Sequence, residues 1–520
     1  MLDTKRSLGQ YSTPIQTVDY MVERLLTFLQ IRRAQEQMHH VSILDPAAGD
    51  GIFVESLQRH GVHPASILAF DIDPTAVASL PPHINAECQD FLASEQGGFD
   101  AIIGNPPYKS KRESVYIQQN RSRLDVQFKD VGIQNMYSMF VVHAIRSLRE
   151  GGVLCVIVQD SFLTNVYYKN FRKYVVDNCL IHEITLAPRR LFHQKNADVR
   201  TAILILEKRT GEINAARRAA HVMHLVDRLP DEQSYHCPGI NRVQRIEQKY
   251  FMQMDNHTFF INVPKCIIEI FQTTGTRLGD IVAGGTGIST GNDAKFLRKC
   301  NEPDRVGRNP GQPSADAGGD TFGATTSGNG SDDDTWVPFY KNGGAGDAWF
   351  YETPYWIGRD WKTASMNNKD FLARNAEYYF REGVTCSSMG IEFSAAYLPA
   401  GCLFGVNGNF FAKSREDLFY ILGFLNSLLV KYLIRAVLNR TNMVTAGYIK
   451  RLPYVEPEPT IKHRIANIAE EIVEVRRSKT AYDPVLLQQT IDQLIFDVYR
   501  IEAIDQARIE EFCANMFESL

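Results

Sequence analysis

Paired thiols, a dominant charge and long apolar runs are all missing from this chain. Its nine cysteines are scattered over 520 residues with no C-x-x-C pair, which gives neither a disulfide framework nor the usual thiolate metal spacing. Nothing near the N-terminus reads as a signal peptide or a spanning helix. The chain is therefore expected in the cytoplasm with reduced thiols, with neither a membrane nor a metal as partner. The formal net charge is only −4, so no global positive field marks a nucleic-acid binder, and any DNA surface must come from local clusters. What is present is 44 % hydrophobic content, in a chain long enough for two or three domains with sizeable cores.

From about residue 41 to 206, short apolar runs alternate with amphipathic segments, as in a doubly wound α/β sheet. Residues 41–44 predict a first strand and 52–59 the helix after it. Residues 67–70 predict a second strand, followed by a short helix opened by Pro74. Residues 84–88 and 101–103 fit a third and a fourth strand. An amphipathic helix is expected over 136–148, a buried strand over 152–158 and a further helix around 170–176. The runs 181–186 and 200–206 are expected to close the sheet as a hairpin. A first domain is thus expected over 1–210. A mixed α/β domain is expected over 211–460, where the rhythm is lost. Its segment 301–335, rich in Gly, Ser, Asp and Thr, is too poor in large apolar residues to offset its own ordering entropy, and is expected as a mobile surface loop. Over 461–520, apolar residues at helical spacing (Ile465, Ile468, Ile472, Val475, then Leu486, Ile491, Leu494, Ile495, Val498) predict a tail of two or three packed helices.

The catalytic candidate is Asn105-Pro106-Pro107-Tyr108, at the end of the apolar run 99–104. An amino group conjugated to a purine or an acyl group is a poor nucleophile, because its lone pair is delocalised. If the Asn105 side-chain oxygen and the Pro106 carbonyl each accept one N–H, the nitrogen pyramidalises and its lone pair can face an electrophile. Taken alone, the same four residues also read as a rigid turn after a strand, since both prolines fix φ and remove donors.

Upstream, Asp45-Pro46-Ala47-Ala48-Gly49-Asp50-Gly51 links the first strand to a helix, and its glycines permit close backbone approach to a ligand. The spacing is not the dinucleotide G-x-G-x-x-G. A carboxylate at Asp45 argues against a pyrophosphate and favours a ligand with an amino or cationic group. An ordinary strand–turn–helix connection remains open at this point. Asp71, followed by Ile72, ends the second strand, where an acid can accept both ribose hydroxyls. Asp73, just before Pro74, reads as a helix cap. Asp90 with Phe91 follows the third strand, and that pair can take an adenine amino group and pack its ring.

These residues resemble motifs I to IV of the S-adenosylmethionine-dependent adenine-N6 DNA methyltransferases. The match is to the gamma-ordered group typified by the TaqI methyltransferase and its larger restriction-modification and phage-defence relatives. Residues 8–14 resemble that group's motif X, in which the threonine, here Thr13, helps hold the methionine end of the cofactor. Read without the family, Ser12-Thr13-Pro14 is an N-cap followed by a helix-opening proline. The chain departs from the group at Ala48 and Asp50, where many members carry Cys and Ser, and no side-chain role is assigned to either.

The resemblance implies a Rossmann-like methyltransferase sheet, a C-terminal target-recognition domain and transfer to the N6 amino group of a flipped-out adenine in duplex DNA. It implies S-adenosylmethionine as cofactor, held by Thr13, Asp45, Ala47, Gly49, Gly51, Asp71, Ile72, Asp90, Phe91, Asn105 and Pro107. Flipping costs a few kcal/mol, and Tyr108 with Phe192, in a segment resembling motif VIII, would stack on the extruded base. Phe192 also reads as a plain core aromatic. Lys109, Lys111, Arg112, Arg121, Arg123 and Lys129 follow the catalytic loop with only Glu113 and Asp125 opposing them. They are candidates for phosphate contacts, extended by Arg189, Arg190 and Lys195, although such a run is also the mark of a solvated face. In the distal half, residues 287–296, 336–341, Tyr355-Trp356 and 423–427 resemble landmarks of the larger members. A fused nuclease is not expected, because few residues precede motif X and the tail shows no metal-binding carboxylate cluster. The expected role is the modification component of a restriction-modification or defence system. Protein glutamine and RNA adenine methyltransferases, which share the Asn-Pro-Pro-Tyr chemistry, are the alternatives, and a catalytically dead DNA-binding subunit is the remote one.

Overall fold

The computed structural model describes residues 12–33, 41–189, 191–192, 199–299, 336–341, 343, 348–479 and 483–519. These fall into two compact units, one running to Gln272 and taking in Ala436–Arg440, the other made of Thr273–Arg435 and Thr441–Phe517.

The first unit is built on a nine-stranded sheet. Its strands are β1 (Ile43–Asp45), β2 (Ile67–Asp71), β3 (Asn85–Cys88), β4 (Phe99–Gly104), β5 (Leu148–Gln159), β6 (Cys179–Leu186), β7 (Thr201–Lys208), β8 (Val222–Val226) and β9 (Val243–Glu247). They lie in the order β3-β2-β1-β4-β5-β7-β6-β8-β9. The first five strands are mutually parallel, with Leu44 set between Leu68 of β2 and Ile102 of β4. β4 is buried along its whole length, as a parallel strand covered on both faces must be. A long helix, α1 (Ile15–Arg33), and the helix Met136–Ser147 both pack against β5.

The chain passes from β1 to β2 on one side, while β4 pairs on the other side of β1. This is the point at which a doubly wound sheet opens a crevice for a ligand. Asp45 closes β1 and Asn105 follows β4, so both sit at that crevice because their strands are neighbours.

The runs expected to close the sheet do pair antiparallel, as β6 and β7. The sheet does not end there. β7 is inserted between β5 and β6, β8 adds parallel to β6, and β9 adds antiparallel to β8. The first unit therefore runs past the boundary that the sequence places at residue 210. β8 and β9 are five residues each, β9 partly exposed throughout, so their alternation is too short and too polar to register as periodicity.

The second unit carries two four-stranded sheets. One, in the order β10-β17-β14-β15, joins Ala283–Gly285, Asn409–Phe411, Gly383–Cys386 and Ala395–Leu398. The other, in the order β11-β13-β12-β16, joins Leu297–Lys299, Tyr355–Gly358, Trp336–Tyr340 and Leu403–Phe404. Val337, Phe339, Ile357, Leu403, Phe404 and Phe411 form part of its core. The tail is helical as expected, but it is not a separate body. Pro459–Arg477 packs on Arg415–Asn426 and on Val485–Val498 within the same unit. The segment expected as a mobile loop, 301–335, lies outside the described residues. Among the described residues, no single helix is long and apolar enough to cross a membrane.

Candidate active site

Asp45 is fully buried, and its Oδ1 accepts the Ala47 N–H at 3.2 Å. Its Oδ2 has no hydrogen-bond partner among the described residues. Burial pushes the Asp45 carboxyl up to about 8, with the negative charges of Asp71 and Asp50 adding to the effect. A buried carboxylate oxygen without a donor is costly, and a cationic amine is the group that would complete it. The glycines beside it are placed where a side chain would not fit. Gly51, at φ +82°, caps the helix α2 (Ile52–Arg59), and a Cβ there would come 2.5 Å from Leu80 Cδ2. A Cβ at Gly104 would meet Asp45 Oδ1 at 3.0 Å, so the strand that carries the catalytic loop passes directly against this carboxylate.

Asp71 is also buried, and both of its oxygens are engaged. Oδ2 accepts the Gly49 N–H at 2.8 Å and Oδ1 the Asp73 N–H at 2.9 Å. It therefore shapes the glycine turn, and only its remaining lone pairs are open to ribose hydroxyls. Ile72 is 48 % exposed, an apolar side chain held out at the strand end. Asp73 caps the following helix through the Thr75 N–H at 2.9 Å.

Asp90 has partners that the sequence does not announce. Its Oδ1 accepts the Leu92 N–H at 3.0 Å, and its Oδ2 accepts the Tyr116 hydroxyl at 2.7 Å and lies 3.4 Å from the Arg123 guanidinium. Phe91 is buried against Phe140 and His143, with centroids 5.4 and 4.7 Å away. The basic run is partly engaged within the fold. Arg123 donates inward to the Leu92 carbonyl at 2.7 Å, because the helix Arg121–Gln127 carries it over the Phe91 turn. Arg121 pairs with Asp125 one turn along at 2.7 Å. Lys111, Arg112 and Lys129 are exposed and Lys109 is half-buried. Arg190 and Lys195, expected to extend this surface, lie outside the described residues.

The catalytic loop is held from two sides. Asn105 Nδ2 donates to Thr13 Oγ1 at 3.0 Å, and the Tyr108 hydroxyl donates to the Ile157 carbonyl of β5 at 3.1 Å. Beyond Tyr108 the backbone is pinned by the Met136 N–H on the Lys109 carbonyl and the Lys111 N–H on the Gln134 carbonyl. Tyr108 and Phe192 are brought together as expected, both buried, with centroids 6.3 Å apart. They meet edge to face, with planes at 79°, and not as the two parallel faces of a sandwich. Sequence reasoning missed the aromatic floor behind them. Tyr137 meets Tyr108 at right angles and stacks on Tyr168, whose hydroxyl accepts the Asn135 Nδ2–H at 2.7 Å. The only sequence signal was Asn135 as a helix cap.

Thr13 is buried just ahead of α1, and α1 is locked to the sheet. Tyr20 donates to Glu183 Oε1 at 2.6 Å and Arg24 to Oε2 at 2.9 Å. Burial alone would raise the Glu183 carboxyl, but the His224 hydrogen bond, the Arg24 charge and the Tyr20 hydroxyl hold it at about 2. Asp50, the position where the chain departs from the family pattern, accepts the Ser12 hydroxyl at 3.1 Å. Arg228 spans both ends of the loop that carries Phe192, donating to the Ala187 and Thr201 carbonyls at 2.6 and 3.0 Å and pairing with buried Asp160. No cluster of three or more His, Cys, Asp or Glu side chains able to hold a metal occurs among the described residues.

Residues 67–192 match the family model described as Eco57I restriction-modification methylase. Over 220 residues the chain is 30 % identical to the type II methyltransferase M.HincII of Haemophilus influenzae, covering 40 % of this chain and 39 % of that protein. Over 419 residues it is 24 % identical to the adenine-specific methyltransferase BrxX of Escherichia coli O9:H4 (strain HS), covering 78 % of this chain and 31 % of that protein. The chain thus spans well under two thirds of the length of either relative. Its fold is similar to the Type IIL restriction-modification enzyme MmeI, solved in complex with DNA, with a TM-score of 0.58 at 12 % identity over 97 % of this chain and 75 % of the other. It is likewise similar to the Type ISP restriction-modification enzyme LlaGI, solved as a nuclease-deletion mutant with a DNA substrate mimic, with a TM-score of 0.55 at 14 % identity over 90 % of this chain and 55 % of the other. The chain therefore has the α/β methyltransferase fold of restriction-modification enzymes.

Proposed function

We propose that this chain, which carries an Eco57I restriction-modification methylase domain over residues 67–192, methylates the N6 amino group of an adenine flipped out of duplex DNA at a specific site. The observation that carries the reading is the meeting of two groups at adjoining strand ends. One is the Asp45 carboxylate, buried with one oxygen unpartnered; the other is the Asn105 carboxamide, held by Thr13. The first suits the amino group of a cofactor and the second suits an amine to be activated.

S-adenosylmethionine supplies, when bound, a methyl group on a sulfonium centre. Asp45 would hold its ammonium, with Thr13, Ala47, Gly49, Gly51, Asp71, Ile72 and Pro107 around it. Asp90 and Phe91 take part through the turn they build, with whatever lone pairs Tyr116 and Arg123 leave on Asp90. Asn105 Oδ1 and the Pro106 carbonyl accept the two N–H groups of the target amine and turn its lone pair outward. The prolines keep both acceptors from yielding. Tyr108 offers a stacking surface, and Phe192 a second one once it has turned. Base stacking on an aromatic side chain contributes about 1–3 kcal/mol, which offsets much of the flipping cost.

The DNA complexes of MmeI and LlaGI, whose folds extend over both units of this chain, support DNA as the acceptor. They also support a modification role within a restriction-modification or defence system, with the second unit reading the sequence. The test is transfer of a labelled methyl group to duplex DNA, RNA or protein, followed by modification-sensitive sequencing of the DNA. Label in N6-methyladenine at one sequence context is the expected result. Label in RNA or in protein glutamine alone would overturn the reading.

A further inference from the structure

Phe192 is placed by a side chain that nothing in the sequence connects with it. Arg228 follows β8, the strand that adds parallel to β6 beyond the sheet expected from the sequence. It is 2 % exposed. Its Nη1 donates to the Ala187 carbonyl, just past the end of β6, at 2.6 Å, and to the Thr201 carbonyl, at the start of β7, at 3.0 Å. Phe192 lies between these two residues in the chain. Arg228 Nη2 donates to the buried Asp160 Oδ2, at the end of β5. The ends of the loop already meet without Arg228, because the Ala187 N–H donates to the Thr201 carbonyl at 3.0 Å. Closing that turn therefore does not require a buried charge, which is costly even when paired. What the guanidinium adds is the tie to Asp160.

Asp160 and its neighbour Ser161 bear on both rings, Tyr108 and Phe192. The Asp160 N–H donates to the Arg200 carbonyl at 3.0 Å, and its carboxylate takes Arg228. The Ser161 hydroxyl is 3.1 Å from that of Tyr137, whose ring meets Tyr108 at right angles with centroids 6.2 Å apart. Tyr108 is itself hydrogen-bonded to Ile157 on β5. One strand end is thus the common reference for Tyr108 and for the loop that carries Phe192. A planar guanidinium suits this task, since its fork reaches carbonyls and a carboxylate in set directions that an ammonium does not reproduce. We propose that Arg228 is a positioning residue for the target base: it anchors the root of the Phe192 loop to Asp160, and so sets where Phe192 stands relative to Tyr108 before the base arrives. In the proposed function Phe192 turns to offer a second stacking surface, and a turning ring keeps its distance only if its backbone root is fixed. This inference rests on the methyltransferase reading above.

The test is a double-mutant cycle, which separates action through Phe192 from general support of the fold. Methyl transfer to a duplex bearing the site found by sequencing is measured for the intact chain, Arg228→Lys, Phe192→Ala and the double variant, with S-adenosylmethionine and DNA saturating. Stacking on one ring corresponds to about 5- to 150-fold, and Phe192→Ala is expected to lower kcat on that scale. Arg228→Lys, which keeps the charge and loses the fork, is expected to lower kcat within the same range. In the Phe192→Ala background it is expected to change kcat by no more than about 2-fold, the scatter of independent sites. With 2-aminopurine in place of the target adenine, the emission change on binding is expected to be smaller for Arg228→Lys than for the intact chain, with S-adenosylhomocysteine affinity the same in both. Equal losses in the two backgrounds, or a loss of S-adenosylhomocysteine affinity that matches the loss of kcat, show a merely structural role and overturn the proposal. An unchanged kcat in either single variant overturns it as well. Asp160→Asn weakens the tie from its other end and keeps the test decisive if Arg228→Lys does not fold; additive losses there, or none, count against the proposal in the same way. Failure of the enzyme reading itself shows separately, as an intact chain that methylates no DNA.

Discussion

At the scale of the residue, the proposed function divides the chemistry between two side chains. In it Asn105 works by accepting, so Asn105→Ala is expected to abolish methyl transfer while changing the S-adenosylmethionine dissociation constant little. Turnover that persists in that variant, measured with labelled cofactor, removes the amine-activation role. Asp45 works by charge, and its titration makes the second prediction. Its carboxyl is raised to about 8 in the free chain, whereas a bound ammonium requires it ionised. Cofactor affinity should therefore rise with pH up to about 8 and then level off, with protons released on binding at pH 7. Calorimetry in buffers of different ionisation enthalpy reads that release directly. Raised acid pKa values also weaken folding, because the stability present below the ordinary carboxylate range is lost as pH rises through the folded value. Asp45→Asn should accordingly raise the melting temperature of the free chain at neutral pH while losing cofactor affinity. An unchanged melting temperature would count against a buried, strained carboxylate.

At the scale of the element, α1 is the part that turns a sequence motif into a fixed position. Thr13 can meet Asn105 only because α1 is bolted to β6 through Tyr20, Arg24 and Glu183. The Glu183 carboxyl is held at about 2, below its ordinary value of 4.5. The stability it contributes is present above that ordinary range and is lost as pH falls toward 2. Melting temperature should fall over that acid window in the intact chain, and the Glu183 share of the fall should vanish in Glu183→Gln. Removing one partner of a buried pair typically costs about 3–5 kcal/mol, so the same variant should also melt lower at neutral pH; a neutral-pH melting temperature equal to that of the intact chain would show the lock to be dispensable. Strands β1, β2 and β4 are legible in the sequence because each is a short apolar run closed by Asp or Gly, and β5 through the apolar stretch at 152–158 within its longer span. β8 and β9 are not, because each is only five residues long and β9, at the sheet's edge, is partly exposed throughout, so neither leaves a periodic signal.

At the scale of the whole molecule, the basic run after the catalytic loop is sorted by tertiary structure into two kinds of cation. Arg123 is turned inward onto Asp90 and Leu92, whereas Lys111 and Arg112 are exposed. If the proposed DNA acceptor is right, replacing Lys111 and Arg112 by alanine should weaken binding evenly across sequences. It should also reduce the salt slope by about 0.9 for each phosphate that is no longer neutralised. Arg123→Ala should instead lower the melting temperature and leave that slope alone, and the reverse pattern would show the sorting to be wrong. The sequence by itself determined the sheet's central strands, the loop from Asp45 to Gly51, the Asn105-to-Tyr108 turn and hence the class of chemistry. All of these depend on local backbone rules and on residues close together in the chain. Only the tertiary structure decided which side chains hold those loops. Thr13 reaches Asn105 across 92 residues and Arg24 reaches Glu183 across 159, and Phe192 meets Tyr108 edge-on. Such partners are chosen by which surfaces the folded sheet and helices bring together, and spacing along the chain does not encode that choice.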